Sequence, residues 1–288
     1  IYTMVDTLSL HDALPNSSSR SGSDFSVTHG ELTHPAYGLL RPVTETASVL
    51  LCENPGTMTL EGTNTWVLRG RGSDDIVVVD PGPDDVAHIE RLASLGRVAL
   101  VLISHRHGDH TEGIDRLVDA TGAVVRSVGS GYLRGLGGAL SDGEVIDAAG
   151  LRITVLATPG HTADSLCFVL DDAVLTADTV LGRGTTVIDD EDGSLADYLD
   201  SLRRLAGLGS RTVLPGHGPE AGDLSAVVEM YRAHREERLE QIRRALRILG
   251  EDASAREVVE HVYADVDEKL WDAAESSVRA QLAYLRRD

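Results

Sequence analysis

ISHRHGDHTEG, residues 103–113, sets His105, His107, Asp109 and His110 within six positions, directly after the apolar run ALVLIS at 99–104. The run is continuous and apolar, as in a strand buried on both faces. The histidines follow at its end, where Gly108 and a change from strand to helix let the backbone bend, so that four side chains can converge on a small volume. Neutral imidazoles with a carboxylate are a ligand set that suits zinc or iron. Four such groups exceed what one tetrahedral ion draws from a single loop, above all if one position stays open for water. Two adjacent ions use them better.

Three more ligand-type residues sit at the ends of expected strands, each beside a glycine or a turn: His161 in ATPGHTADS, Asp178 in LTADTVLG and His217 in VLPGHGPE. They follow His110 at steps of 51, 17 and 39 residues. Strand ends on one edge of a sandwich are places where separate loops meet. Seven ligands then make two sites sharing one carboxylate.

The bulk composition is that expected of a soluble globular protein rather than a disordered one. The 288 residues are 42% hydrophobic and 25% charged, enough for one sizeable core and a small second domain. No apolar run approaches a membrane span. The net charge is −20, and all basic residues but Lys269 are arginine. Such a chain offers no general attraction to polyanions, so a nucleic-acid role needs a local site. Cys52 and Cys167 are too few for a disulfide framework, and a reducing cytoplasm is the expected compartment. At the start of the chain, TLSLHDALP resembles the in-frame translation of a sequencing-library adapter. Residues 1–27 are therefore set aside as an adapter-like segment and disordered tail.

Between these points the chain alternates short apolar segments with turns. TNTWVL (63–68), IVVVD (76–80) and 99–104 read as strands, and 84–95 and EGIDRLVDATG as helices, the second closing at Gly122. VVRSV, LRITVLATPG, SLCFVLDD and AVLTADTV form a strand-rich middle. Ser194 and Asp197 open a helix over 194–209, and RTVLPGHG is one last strand and turn. From residue 222 onward the pattern is helical only, over 224–249, 254–263 and 270–287. This divides the chain into a main domain, 28–221, and a small helical unit, 222–288.

HRHGDH with the later PGH, ADT and PGHG resembles the metallo-β-lactamase superfamily, over roughly residues 44 to 220. The resemblance implies a four-layer αββα sandwich with metals at one sheet edge. Carried over position by position, His105, His107 and His161 would hold the first metal and Asp109, His110 and His217 the second, with Asp178 bridging them. Zinc is the implied cofactor, as two ions, with iron or manganese as substitutes. Asp80, closing IVVVDPG, matches a family position that supports the metal loop, although an Asp there also suits turn initiation.

NPGTMTLEGTNTWVL (54–68), ADTVLGRGTTVIDDEDGSLADYLDSLRRL (177–205) and the C-terminal helices resemble the lactamase-β-2-like branch. That branch adds a winged-helix-type domain, and its best-known member is a single-strand-selective endoribonuclease. The chain ends at AYLRRD, before the wing's hairpin, and so reads as truncated. The implied function is a dinuclear zinc hydrolase cutting single-stranded RNA. The alternatives are a thioester hydrolase of the glyoxalase II type, to which Tyr231, Tyr263 and Tyr284 could offer glutathione contacts, and a weak lactam or lactone hydrolase. Asp109, Asp178 and His217 are the candidate catalytic groups. The loops at 62–65 and 182–186 offer Asn64, Arg183 and Thr185 to substrate. RNA, or a small thioester or ester, is the expected partner, with no membrane involved and homodimerisation left open. Arg243, Arg244 and Arg247 are the candidate phosphate contacts, although a solvated helix laced with ion pairs explains them as well.

Overall fold

A computed structural model describes residues 33–189, 192–264, 268 and 271–287. The adapter-like segment lies outside the described residues. The strands are β1 (Arg41–Pro42), β2 (Ala47–Leu51), β3 (Asn64–Leu68), β4 (Asp75–Val79), β5 (Arg97–Leu102), β6 (Val124–Arg126), β7 (Val145–Ala148), β8 (Leu151–Ala157), β9 (Leu166–Val169), β10 (Ala173–Ala177) and β11 (Thr212–Pro215). The helices are α1 (Val86–Ala93), α2 (Gly108–Thr111), α3 (Ile114–Thr121), α4 (Leu195–Ala206), α5 (Leu224–Leu249), α6 (Ala255–Val262) and α7 (Trp271–Leu285).

The strands form a six-stranded sheet, β1-β2-β3-β4-β5-β6, and a five-stranded sheet, β11-β10-β9-β8-β7. Strand periodicity sorts their side chains into layers. In β4, Val77 and Val79 enter the core between the sheets, whereas Ile76 and Val78 face outward onto Ile89 and Leu92 of α1 and Ile114 and Leu117 of α3. In the second sheet Phe168, Leu175 and Leu214 point inward and Cys167, Val174 and Val213 outward, against Tyr198, Leu202 and Leu205 of α4 and Val228 of α5. Both faces of both sheets are therefore covered, which is the expected four-layer αββα sandwich. Cys167 is fully buried in it, as core, and burial pushes its thiol up to about 11.

The 26 residues of α5 link two cores. Its first half packs on α4 and the second sheet through Leu224, Val228 and Tyr231. Its second half, through Ile242, Ala245 and Leu246, packs on α6 and α7 through Val258, Val259, Val278 and Leu282. Ser254 starts α6 with a reciprocal cap, its side chain accepting from the Glu257 N–H while the Glu257 carboxylate accepts from the Ser254 N–H. Among the described residues no helix is long and apolar enough to cross a membrane.

Candidate metal centre

The seven ligand-type residues meet at one end of the two sheets. After β5, His105 and His107 lie in the turn leading into α2, and Asp109 and His110 lie within α2. His161 follows β8, Asp178 follows β10 and His217 follows β11. His107 Nδ1 lies 3.0 Å from His105 Nε2 and 3.1 Å from His161 Nε2. His217 Nε2 lies 3.3 Å from His110 Nε2 and 3.2 Å from Asp109 Oδ2. Between the two groups, Asp178 sets Oδ1 3.5 Å from His110 Nε2 and Oδ2 3.3 Å from His217 Nε2 and 3.8 Å from His161 Nε2. Three sets of side chains each bring their ligand atoms within 4.8 Å of one another: His105, His107 and His161; His105, His110 and Asp178; and Asp109, His110 and His217.

Local backbone geometry aims these groups. Ala177, with φ at +44°, is left-handed, and the β10–β11 register shifts between Leu175 and Ala177, so the strand turns just before Asp178. Gly216 leaves room for the carboxylate, since a Cβ there would lie 2.4 Å from Asp178 Oδ1. Gly160 lets His161 sit against α4, where a Cβ would lie 2.3 Å from the Tyr198 Cα.

The outward nitrogen of every histidine in the centre meets an oxygen. His110 Nδ1 is 2.9 Å from Asp80 Oδ2. His105 Nδ1 is 2.9 Å from Ser104 Oγ, which donates to Asp80 Oδ2 at 2.6 Å. The Asp80 carboxylate thus stands behind two imidazoles, and its other oxygen accepts from the Ser104 N–H at 2.8 Å. His161 Nδ1 meets the Val187 carbonyl at 2.6 Å and His217 Nδ1 the Gly62 carbonyl at 3.1 Å. His107 Nε2 meets Asp189 Oδ2 at 2.8 Å. An oxygen on the far nitrogen fixes the ring and turns the inner nitrogen toward the cluster, the arrangement of metal-bound histidines. Ser104, Val187 and Asp189 were not singled out from the sequence. Asp189 lies 82 positions from His107 in an acidic run, where nothing marks it.

Charge within the cluster is strongly coupled. Burial alone would depress His110, but Asp109, Asp178 and Asp80 outweigh it and raise the imidazole to about 9. Burial likewise opposes a charged His217, yet Asp178 and Asp109 hold its pKa well above the usual value. Burial works against ionised Asp178 and Asp109, but His217 and His110 keep Asp178 well below the carboxylate range and Asp109 at about 2. His105, buried among other imidazoles, falls well below its ordinary value. Asp178 Oδ1 is buried without a hydrogen-bond partner. Converging nitrogen and carboxylate donors around such an atom fit divalent cations. His105, His107 and His161 would hold one, Asp109, His110 and His217 another, with Asp178 between.

The three expected substrate contacts lie in different surroundings. Thr185 lines a slot beside the ligands together with Met58, His161, Asp178, Leu181, Thr186 and Val187. Asn64 is 1% exposed, and its amide donates to the carbonyls of Pro215 at 3.0 Å and Gly218 at 2.8 Å, so it serves the scaffold instead of a ligand. Arg183 is exposed and ion-paired with Glu61 at 2.6 Å.

The chain matches the model of the metallo-beta-lactamase superfamily over residues 58–217 and that of the beta-lactamase associated winged helix domain over 254–288. It is 31% identical to the beta-lactamase-like protein 2 homolog of Caenorhabditis elegans, over 86% of this chain and 87% of that one. It is 34% identical to the atrochrysone carboxyl ACP thioesterase of Aspergillus fumigatus, over 76% of this chain and 75% of that one. A beta-lactamase domain protein from Burkholderia ambifaria shares the fold at a TM-score of 0.74 and 22% identity, over 88% of this chain and 89% of that one. With its ligand-type residues gathered at the sheet edge and its winged-helix segment in place, the chain belongs to the metallo-β-lactamase superfamily and is a hydrolase of that family.

Proposed function

We propose that the chain is a dinuclear zinc hydrolase acting on an acyl group, as a thioester or ester. The observation that carries this reading is the slot beside the ligands, with Met58, Leu181 and Val187 as apolar walls and Thr185 and Thr186 as polar ones. Two nearby arginines are engaged, Arg183 in the slot loop by Glu61, and Arg106 between His105 and His107 by Asp189 at 3.1 Å and Asp192 at 3.2 Å. The slot is small, with room for about one water, and its mostly apolar lining suits the neutral end of an acyl group better than a charged phosphodiester. Similarity to an acyl carrier thioesterase supports the same choice. Glutathione is not favoured as the leaving group, because Tyr231 and Tyr263 are buried.

Two cations in the cluster would polarise a scissile carbonyl and lower the pKa of water toward neutrality. Asp109 is the more exposed of the two cluster carboxylates, at 29% against 12% for Asp178, so it can orient a water and take its proton. Asp109 would then deliver that proton to the leaving group, while His217, whose Nε2 lies 3.2 Å from Asp109 Oδ2, would hold the second cation. The apolar walls Leu181 and Val187 would flank the acyl group beside the cations.

Cleavage of single-stranded RNA is the second reading, favoured by the winged-helix match at 254–288. Against it, Arg243 and Arg247 are exposed and lie beside Glu240, at 3.7 and 3.1 Å. From Arg235, which touches the slot loop, these arginines start about 12 Å further along the helix. The deciding experiment assays the zinc-loaded chain in parallel on an acyl-pantetheine thioester, lactoylglutathione, single-stranded RNA and a chromogenic lactam. Thioester turnover that disappears in Asp178→Ala, with close to two zinc ions in the unaltered chain, is the expected result. RNA cleavage with an inert thioester would replace the acyl reading.

A further inference from the structure

The segment from Thr179 to Asp189 has no strand or helix, yet it carries much of the site. Leu181, Thr185, Thr186 and Val187 are slot walls, the Val187 carbonyl holds His161, and the Asp189 carboxylate holds His107. Its shape is imposed from outside. Tyr231 and Arg235 lie four positions apart on α5, hence on one face, and both are buried. The Tyr231 hydroxyl accepts from the Leu181 N–H at 2.9 Å. The Arg235 guanidinium donates to the Thr186 carbonyl and lies 5.2 Å from the centre of the Tyr198 ring. Tyr198 donates to the Thr179 carbonyl at 2.7 Å, which also accepts from the Thr186 hydroxyl at 3.1 Å.

Among the described residues no carboxylate pairs with Arg235, and its Nε has no hydrogen-bond partner. A buried cation without a paired carboxylate carries a desolvation cost that an apolar side chain of similar length would avoid. Core packing alone therefore does not account for an arginine here. Its reach to the Thr186 carbonyl, one residue from the carbonyl that orients His161, does.

We propose that Tyr231 and Arg235 are positioning residues, through which the C-terminal helix fixes the 179–189 segment and so sets both the slot width and the orientation of His161 and His107. The inference rests on the metal-and-slot reading above, but its test does not depend on turnover. The full-length chain would be loaded with cobalt(II), whose visible spectrum reports ligand geometry, and affinity followed by competition with a chromophoric chelator. Arg235→Met should weaken one of the two cobalt ions about tenfold, the lower range for loss of support behind a ligand, and should change the spectrum. Tyr231→Phe, which removes only an oxygen, should shift both readouts the same way by less, and Arg235→Lys should restore part of the loss. Val258→Ala, which thins the core between α5, α6 and α7, should lower Tm and leave affinity and spectrum alone. Unchanged cobalt binding in both Arg235→Met and Tyr231→Phe, or an equal change in Val258→Ala, overturns the proposal. Should Arg235→Met not fold, Tyr231→Phe decides. If the spectra respond as expected while no acyl substrate is turned over, the acyl reading fails and the positioning role stands.

Discussion

Asp80 concentrates more of the site's order than any single ligand. It holds a left-handed backbone, φ at +54°, at the end of β4 and supports His110 directly and His105 through Ser104. Asp80→Asn keeps the shape but weakens the acceptor, and it should cost about 10- to 100-fold in metal affinity, read by chelator competition. Behind Asp80, the Thr65 hydroxyl donates to its carbonyl at 2.7 Å and lies 2.9 Å from His88 Nε2. Burial pushes His88 down to about 4 from an ordinary 6.5. Because the folded value is the lower one, the unfolded chain takes up the proton first. The neutral His88 stabilises the fold above pH 6.5, and that contribution is lost as pH falls toward 4. His88→Gln, which can still donate to Thr65, removes the titration. Urea unfolding in excess chelator at pH 8 and pH 5 should show the unaltered chain losing about 2 kcal/mol more than the variant. An equal loss in both would disprove this. The grouping of the candidate ligands was legible in the sequence because four of them are neighbours, and donor chemistry needs no tertiary information. Asp189 and the Arg235 contact were not, since each gains its meaning from a partner 82 or 49 positions away.

Elements were legible where their own sequence carried the pattern. Ser194 accepts from the Asp197 N–H at the start of α4, and Gly122 ends α3 at φ +68°, both as the local signals indicate. β1, β2 and β7 were passed over. ASVLL gains its strand character from a five-residue antiparallel register with β3, and VIDA from pairing with β8, and neither pairing can be read locally. The cap on α6 offers an element-scale test. Ser254→Ala removes one acceptor at the helix start and should cost about 1 kcal/mol. Differential scanning calorimetry should show a lower Tm with metal content unchanged. A loss of metal on this substitution would mean that α6 communicates with the centre.

At the scale of the molecule, α5 makes the C-terminal helices part of the sandwich. A chain ending at residue 221 would bare Tyr198, Leu202, Leu205, Val174 and Val213, which now share a cluster with Leu224, Val228 and Tyr231. Light scattering should show it aggregating, whereas a monodisperse, metal-replete product would show that the sandwich closes without α5. The change to a helical pattern near residue 222 is visible in the sequence. The dependence of the second sheet's outer face on the following helix is not, because apolar spacing along α5 does not name its partner. A different consequence follows from the ligands being divided between the sheets, four after β5 and three from the second sheet. His217 is synthesised 112 residues after His105. At about 5–20 residues per second the growing chain therefore carries its HRHGDH loop without the remaining donors for roughly 6–20 s. Three imidazoles and a carboxylate in so short a loop already form a chelator, and for nitrogen donors copper outcompetes zinc. Free copper present during those seconds would therefore compete with zinc for this loop before His161, Asp178 and His217 have been made.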